Sequence, residues 1–409
     1  MLLRQSHLST ALLLCSLFLP ALLHSSGVAS SLALGVGFTA ILVLAASVMM
    51  RRGAFYLSAA VLMIPFVILV LFAHLWVVNL LVPVDFSRAG ESLMLLVLVV
   101  VGAGGFADVL ADSDPERIKK AVYVSLALLL ALGFFGAFHI LQPFADKLNE
   151  PVFPFSEPSH FSLVLTPLLI FTCASIPSTK MRIFLISAAL VDAMLLQSLT
   201  LVVSCVGVAI LCLRKKYLIM TIMVAVLTLA VSSISLDYYW SRLDLSSSLS
   251  NISALVYVQG WQLIGASWES TYGIGRGFQQ MGSFGDNLSA AKAIYDLAGM
   301  HLNLFEGSFV LSKLLSELGI IGLFLTIGYL VVAFRAAKLL RRVATGRRAA
   351  DPLLVFAASC IAGYSVELIL RGAGYFTPTA FILLSSILIM TRKHARTRER
   401  HCRVADSNS

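Results

Sequence analysis

The sequence contains little charge: Asp, Glu, Lys and Arg make up 12% of its 409 residues, whereas a soluble domain usually has about 25%. A chain with so few charges cannot cover a water-facing surface of ordinary polarity. Hydrophobic residues make up 59% and form runs long enough to cross a hydrocarbon core about 30 Å thick. The composition therefore predicts an all-α polytopic integral membrane protein, with residues 1–409 in a single membrane domain.

Patterns typical of disulfide, metal or nucleotide sites are also missing from the sequence. Its six cysteines form no CxxC pair, and none lies in the longest polar segment, residues 235–306. The sequence has no P-loop for nucleotide binding and no histidine-rich cluster for a divalent metal ion. We therefore expect a site that uses neither a metal nor another cofactor.

Twelve apolar segments are candidates for transmembrane helices. The seventh and eighth are short and lie close together, so they form either a tight hairpin or one kinked or re-entrant element. The predicted segments are residues 8–25, 29–50, 55–82, 91–111, 119–141, 159–177, 182–197, 199–213, 217–234, 307–334, 352–370 and 375–391.

Positive charge is distributed unevenly between the two sides of this predicted bundle. Of the 30 Lys and Arg residues, 23 fall in the termini and loops of one side and seven on the other. Because basic residues gather in cytoplasmic loops, the bias predicts that both termini are cytoplasmic, including a basic tail over residues 392–409. Anionic membrane lipid accounts for the net charge of +9, and we do not expect nucleic acid as a partner.

The opposite, outer side carries one large loop, residues 235–306, between the ninth and tenth segments. Residues 251–270 mix apolar with small and polar side chains, which is typical of an amphipathic helix on a membrane surface. Further along, glycines surround an arginine, and exposed backbone amides beside a guanidinium suit phosphate oxygens. The candidate residues for binding an anion in this loop are Arg276 with Gly275, Gly277 and Gln280.

Charged residues in the late segments need partners, because ionisable groups inside a bilayer are costly. Glu367 and Arg371 are spaced i,i+4 and so share a helix face. They either neutralise each other or hold the arginine at the mouth of a cavity, facing an anion. The small residues between Arg371 and Tyr375 allow the backbone to approach a ligand. Lys313 and Glu317 have the same spacing and are predicted to form a structural pair.

Two further polar pairs fall at the predicted outer boundary. Glu157 precedes a proline at the start of the sixth segment, and His160 follows one turn later. This spacing suits a general base with its partner, or a carboxylate that only caps the helix. Asn303 and Glu306 lie at the mouth of the tenth segment. The pairs therefore add two carboxylates and a histidine to the same outer face as the two arginines.

In these segments the sequence resembles the Wzy-type polymerases of O-antigen, capsule and exopolysaccharide, which are related to the O-antigen ligases. The resemblance covers most of the chain and depends on the joint order of the segments, the number of spans and the late outer loop. The segments that carry it are residues 157–161, 253–261, 273–280, 302–309, 316–319 and 371–376.

The resemblance implies a fold similar to the GT-C class of membrane glycosyltransferases, in the inner membrane of a bacterium. It implies a metal-independent polymerase of lipopolysaccharide biosynthesis that joins oligosaccharide repeat units carried on undecaprenyl diphosphate, with a chain-length-regulating co-polymerase as a further partner. Arg276 and Arg371 would then bind the diphosphate, and Glu157, His160 or Glu306 would take the proton from the acceptor hydroxyl. The supporting residues would be Gly275, Gly277, Gln280, Asn303, Glu367 and Tyr375.

Two other functions stay open on the sequence. One is an O-antigen ligase that transfers glycan to a different acceptor through nearly the same topology. The other is a multi-pass transporter or flippase of lipid-linked sugars. Repeated halves or charges near mid-membrane would favour a transporter. No repeat is apparent, and Asp192 is the candidate for such a charge.

Overall fold

The computed structural model describes residues 2–50, 59–138, 152–215 and 251–406, together with positions 217, 219 and 223. Within these residues the chain forms thirteen helices and no β-strand. The helices are α1 (Leu2–Ser25), α2 (Leu32–Met50), α3 (Ala59–Asn79), α4 (Phe86–Ala111), α5 (Pro115–Ala137), α6 (Pro158–Ser175), α7 (Thr179–Leu195), α8 (Leu199–Cys212), α9 (Ile252–Thr271), α10 (Ser289–Ala298), α11 (Val310–Ala344), α12 (Pro352–Ile369) and α13 (Pro378–Asp406).

Eleven of the predicted apolar segments coincide with helices, because each is a continuous apolar run that must satisfy its backbone internally. The ninth, residues 217–234, lies outside the described residues apart from three positions. Six described helices, α2, α4, α5, α6, α11 and α12, are long and apolar enough to cross a membrane. The prediction of an all-helical, membrane-embedded protein is therefore confirmed for the described part of the chain.

The seventh and eighth segments are two separate helices that pack against each other, so the hairpin alternative is the one observed. Gln197 turns the chain between them with a φ of 50°. Ser198 then starts α8, because its hydroxyl accepts a hydrogen bond from the amide of Leu201. The tight turn between the two helices is thus formed by two polar residues, Gln197 and Ser198.

Helix α6 lies at the centre of the bundle and packs against α5, α8, α11 and α12. Phe161 and Phe171 of α6 are completely buried in the main hydrophobic core. Gly363 allows α12 to approach closely, because a β-carbon there would lie 3.1 Å from the Cα and Cβ of Pro167. The start of α6, which carries Glu157 at its N-cap position, is therefore fixed by packing on several sides.

Arg182, near the start of α7, binds the ends of three other helices. Its Nε donates to the carbonyl of Ile176 at the end of α6 (2.7 Å). Its Nη1 donates to the carbonyls of Cys212 (3.1 Å) and Ala344 (2.5 Å), the last residues of α8 and α11. The last carbonyls of a helix lack internal partners and carry partial negative charge, so one buried guanidinium satisfies and neutralises all three ends.

Replacing Arg182 by alanine should lower the free energy of unfolding by about 3 kcal/mol or more, because hydrogen bonds from a charged group contribute about 1.5–3 kcal/mol each. Thermal unfolding of the purified protein in detergent measures the loss. The control is Arg117→Ala, which removes an exposed ion pair with Asp114 and should cost less than about 1 kcal/mol. Equal stability of the two variants would contradict the role given to Arg182.

Candidate functional site

A cavity of about 620 Å³ opens between the start of α6, the α7–α8 turn, the first half of α9 and the end of α12. Its volume is within the range of about 300–1,000 Å³ that is usual for small-molecule sites. Among the described residues that line it, Glu157 and Arg371 carry charge. The other polar side chains in the lining are Ser159, Gln197, Ser198, Thr200, Ser253, Tyr257, Asn303 and Ser308.

Glu157 and Arg371 form an ion pair across this cavity wall, although they are 214 residues apart in the sequence. Nη2 of Arg371 donates to both carboxylate oxygens, at 3.0 Å to Oε1 and 2.7 Å to Oε2. The hydroxyl of Ser159 donates a further bond to Oε2 (2.7 Å). In the described structure Glu157 occupies the N-cap position of α6, but its side chain makes no capping hydrogen bond there and pairs with Arg371, so the interpretation that it only caps the helix is wrong.

The predicted pair between Glu367 and Arg371 is also wrong. Helix α12 ends at Ile369, so Arg371 lies beyond the last turn and the i,i+4 geometry of a helix does not apply. Glu367 is buried and its Oε2 accepts a hydrogen bond from the hydroxyl of Thr379 in α13. Glu367 therefore connects α12 to α13, and Arg371 pairs with Glu157 instead.

The ion pair controls the ionisation of Glu157. Burial raises the pKa of the Glu157 carboxyl, but the positive charges of Arg371 and His160 and the hydrogen bond from Ser159 outweigh burial and lower the pKa to about 2. The carboxylate is therefore charged at neutral pH. While it is paired in this way, it is also a weak proton acceptor.

The structure gives His160 a different environment from that of Glu157. His160 lies in the first turn of α6, where its Nδ1 is 3.0 Å from the hydroxyl oxygen of Ser156. It lines a separate small pocket of about 20 Å³ together with Ser156 and Thr377. The two residues are thus neighbours, but Glu157 faces the large cavity and His160 does not belong to its described lining.

The glycine-rich segment around Arg276 docks onto a break in α11. Gly319 interrupts that helix with a φ of 53° and a ψ of −125°. The backbone groups released by the break bind the segment: the amide of Ile320 donates to the carbonyl of Gly273 (3.0 Å). In return, the amides of Arg276 and Gly277 donate to the carbonyls of Ser316 (2.8 Å) and Glu317 (2.7 Å).

The carboxylate of Glu317 completes this docking, because it accepts hydrogen bonds from the amides of Gln279 (2.9 Å) and Met281 (3.1 Å). The amide of Gly275 donates to the hydroxyl of Thr271 (2.9 Å). These amides are therefore bonded within the protein. The expectation of exposed amides that bind phosphate is wrong, because the segment uses them to attach to α11 and to the end of α9.

The side chains of this segment are also engaged. The carboxamide of Gln280 exchanges two hydrogen bonds with the backbone of Asp85, at 2.8 and 2.9 Å, and so ties the segment to the start of α4. Nε of Arg276 donates to the hydroxyl of Ser270 (3.0 Å), and its guanidinium lies 4.1 Å from the ring centroid of Phe284. Arg276 lies outside the described cavity lining.

Lys313 is completely buried and binds several groups at the start of α11. Its Nζ donates to the carbonyl of Phe305 (2.8 Å) and to Oε2 of Glu306 (3.2 Å). The predicted pair with Glu317 is confirmed at 3.9 Å. The ring of Tyr375 lies 5.2 Å from the same ammonium group. Glu306 and Tyr375 therefore belong to the surroundings of Lys313 and are outside the described lining of the cavity.

The structure thus separates the residues that the sequence placed together. Glu157, Arg371 and Asn303 line the cavity. Most of the remaining candidates hold the outer loop on α4 and α11, whereas His160 lines the small pocket and Glu367 connects α12 to α13. Sequence reasoning did not identify Tyr257 and Gln197 as lining residues. The polar turn between two short apolar segments was a usable signal for Gln197, whereas Tyr257 depends on how α9 packs.

Comparison with known proteins provides no family assignment. The sequence matches no protein-family model, and a search of curated proteins finds no significant match. The functional argument therefore depends on the cavity and on the two charges that face it.

Proposed function

We propose that the protein is a Wzy-type polymerase that joins oligosaccharide repeat units carried on undecaprenyl diphosphate. The observation that supports this most is the Glu157–Arg371 pair in a polar cavity of a membrane-embedded helical protein. A carboxylate beside a cation provides the two groups that glycosyl transfer from a diphosphate needs. One accepts a proton and the other stabilises the charge on the departing group.

The other lining residues suit a carbohydrate. Hydroxyl and carboxamide side chains, among them Ser253, Asn303 and Gln197, can donate to and accept from sugar hydroxyls. Tyr257 adds an aromatic ring with a polar end, and its ring is fixed 4.8 Å from that of Phe309. The apolar part of the lining, including Val203 and Ile252, suits the first part of a polyprenyl chain.

In this proposal Glu157 takes the proton from the acceptor hydroxyl as its oxygen attacks the anomeric carbon of the donor. Arg371 stabilises the negative charge that develops on undecaprenyl diphosphate as it leaves. The attack occurs opposite the leaving group, which inverts the configuration. Arg276 is the second cation for the diphosphate. Its side-chain hydrogen bond among the described residues runs from Nε to Ser270, so Nη1 and Nη2 can bind the diphosphate.

The proposal also includes the topology, the membrane location and a protein partner. Twelve spans with a GT-C-like arrangement would place both termini in the cytoplasm and the cavity on the periplasmic side of a bacterial inner membrane. The basic residues between α11 and α12 would then face anionic lipid. A chain-length-regulating co-polymerase would be a partner of the same assembly.

Reconstitution tests the function directly. Purified protein in proteoliposomes should convert lipid-linked repeat units into a ladder of longer chains on gels and release undecaprenyl diphosphate. In the cell, deletion of the gene should leave single repeat units on the lipid A-core. Long chains that accumulate on the lipid carrier would instead indicate a ligase. Failure to form polymer, with transport of the lipid-linked sugar across the membrane, would refute the enzyme proposal.

A further inference from the structure

The arginine that the proposed function needs for the donor is already bonded to the carboxylate that it needs as a base. Glu157 and Arg371 are the charged residues in the described cavity lining. The Glu157 side chain is 42% exposed and that of Arg371 is 17% exposed, so the pair can be reached by a ligand. Its position at the cavity surface distinguishes it from a sealed structural ion pair.

An anion that binds Arg371 has to share the guanidinium with Glu157. The carboxylate oxygens lie 2.7 and 3.0 Å from Nη2. Phosphate oxygens on the same guanidinium would therefore come within about 4–6 Å of them, where like charges strongly disfavour joint ionisation. A diphosphate carries more charge than one carboxylate and forms bidentate bonds to the guanidinium fork.

We propose that the diphosphate of the donor displaces Glu157 from Arg371, so that donor binding itself frees the carboxylate to act as the base. This inference rests on the proposed function. It makes the reaction ordered, because the acceptor hydroxyl meets a competent base only after the donor is in place. The closed pair is then the resting state of the protein without donor, in which Glu157 is not available as a base.

The electrostatics of the pair support this exchange. Burial raises the pKa of Glu157, and the guanidinium of Arg371 is the first of the groups that offset it. Once Arg371 binds the diphosphate, burial is no longer offset to the same extent and the carboxylate becomes more basic. Ser159 stays as a hydrogen-bond donor to Oε2 and keeps the freed carboxylate at the cavity wall.

The charges balance through the transfer step. The acceptor oxygen forms a bond to the anomeric carbon while its proton moves to Glu157. The bond between that carbon and the diphosphate oxygen breaks, and both electrons pass to the diphosphate. Negative charge therefore disappears at Glu157 as it increases on the diphosphate, which Arg371 already binds at this stage.

The exchange involves Glu157 and Arg371, because the neighbouring ionisable side chains have other contacts. Glu367 is bonded to Thr379, so its carboxylate does not replace Glu157 on the guanidinium. His160 has its Nδ1 beside the hydroxyl of Ser156 and lines the separate small pocket. The displaced partner of Arg371 is therefore Glu157 alone among the described carboxylates within ion-pair distance.

Binding of inorganic pyrophosphate to the purified full chain in detergent tests the proposal by calorimetry. Glu157→Gln keeps the shape of the side chain but removes the competing charge, so pyrophosphate should bind about 10-fold more tightly than to the wild type, within the usual range for coupled sites of about 5–150-fold. The same variant should lose polymerase activity. Arg371→Gln should abolish the binding.

The matched control is Glu116→Gln, which removes a carboxylate paired with Lys119 (2.6 Å) and should leave pyrophosphate affinity unchanged. If Glu157→Gln does not fold, Glu157→Asp tests the same contact, because the shorter side chain cannot keep both bonds to Nη2. Unchanged or weaker binding in the folded variant overturns the exchange. Lack of binding by every form refutes the diphosphate site and with it the donor part of the proposed function. If pyrophosphate binding depends on Arg371 but is not tighter in the Glu157 variant than in the wild type, only the exchange is refuted.

Discussion

Replacing Arg371 by glutamine should slow polymer formation by about 10²–10³-fold, because removal of one preorganised donor from a developing negative charge has that effect in other enzymes. Arg371 provides the cation that lines the described cavity, so no neighbouring lining residue compensates for its loss. The rate is measured with lipid-linked repeat units in proteoliposomes. Arg371→Lys should recover part of the activity, because it keeps the charge but not the planar fork of donors.

Two other arginines provide the comparison. Arg276→Gln should also lower the rate, but less than Arg371→Gln, because Arg276 lies outside the described cavity lining. Arg117→Gln removes an exposed ion pair with Asp114 and should leave the rate unchanged. Thermal unfolding and the amount of protein in the membrane separate loss of activity from loss of the fold. Full activity of the Arg371 variant would exclude this residue as the cation of the donor site.

Most of the helices could be predicted from the sequence because the backbone hydrogen bonds that form them are local. A chain in lipid has to bond its backbone within each segment, so every long apolar run becomes a helix wherever it lies in the fold. The helix over Ile252–Thr271 was also predictable, since its apolar and small residues recur at helical spacing and Asn251 caps it. These properties are visible within one segment of about 20 residues.

The partners of the charged residues could not be predicted because they depend on tertiary packing. Spacing assigned Arg371 to Glu367, but α12 ends too early, and the partner is Glu157 from the start of α6. Spacing correctly paired Lys313 with Glu317, since both lie in the unbroken first part of α11. An i,i+4 rule therefore holds only where the helix is known to continue between the two residues.

The glycine-rich segment around Arg276 is a second case in which the sequence did not reveal the tertiary contacts. Three glycines beside Arg276 predicted amides open to an anion, because the sequence does not show what the backbone contacts. In the structure the amides of this segment are bonded to the end of α9 and to the carbonyls and the carboxylate of α11 next to its break at Gly319. The break is invisible in the sequence of α11, where a single glycine in an apolar run is compatible with a continuous helix.

That break makes Gly319 the position with the largest expected effect on the outer loop. Gly319→Ala should lower the free energy of unfolding by about 3 kcal/mol or more, since a non-glycine residue in such a backbone conformation costs about 1–3 kcal/mol by itself. In addition, the new β-carbon would overlap the carbonyl groups of Gly273 and Ile274. The alanine therefore has to push the Gly273–Gly277 segment off α11 or straighten the helix, and either change releases Arg276 from its present position.

Gly328 provides a matched control in the same helix. It is exposed, and a β-carbon there would meet no atom within 4 Å, so Gly328→Ala should leave stability equal or raise it by about 0.5–1 kcal/mol through helix propensity. Thermal unfolding in detergent and limited proteolysis of the outer loop measure both variants. Gly319→Ala should unfold at a lower temperature and be cleaved faster between α9 and α11, while Gly328→Ala should match the wild type. Equal behaviour of the two variants would show that the break in α11 is not what holds the outer loop, and the loop would then have to be held by the Gln280–Asp85 and Glu306–Lys313 contacts instead.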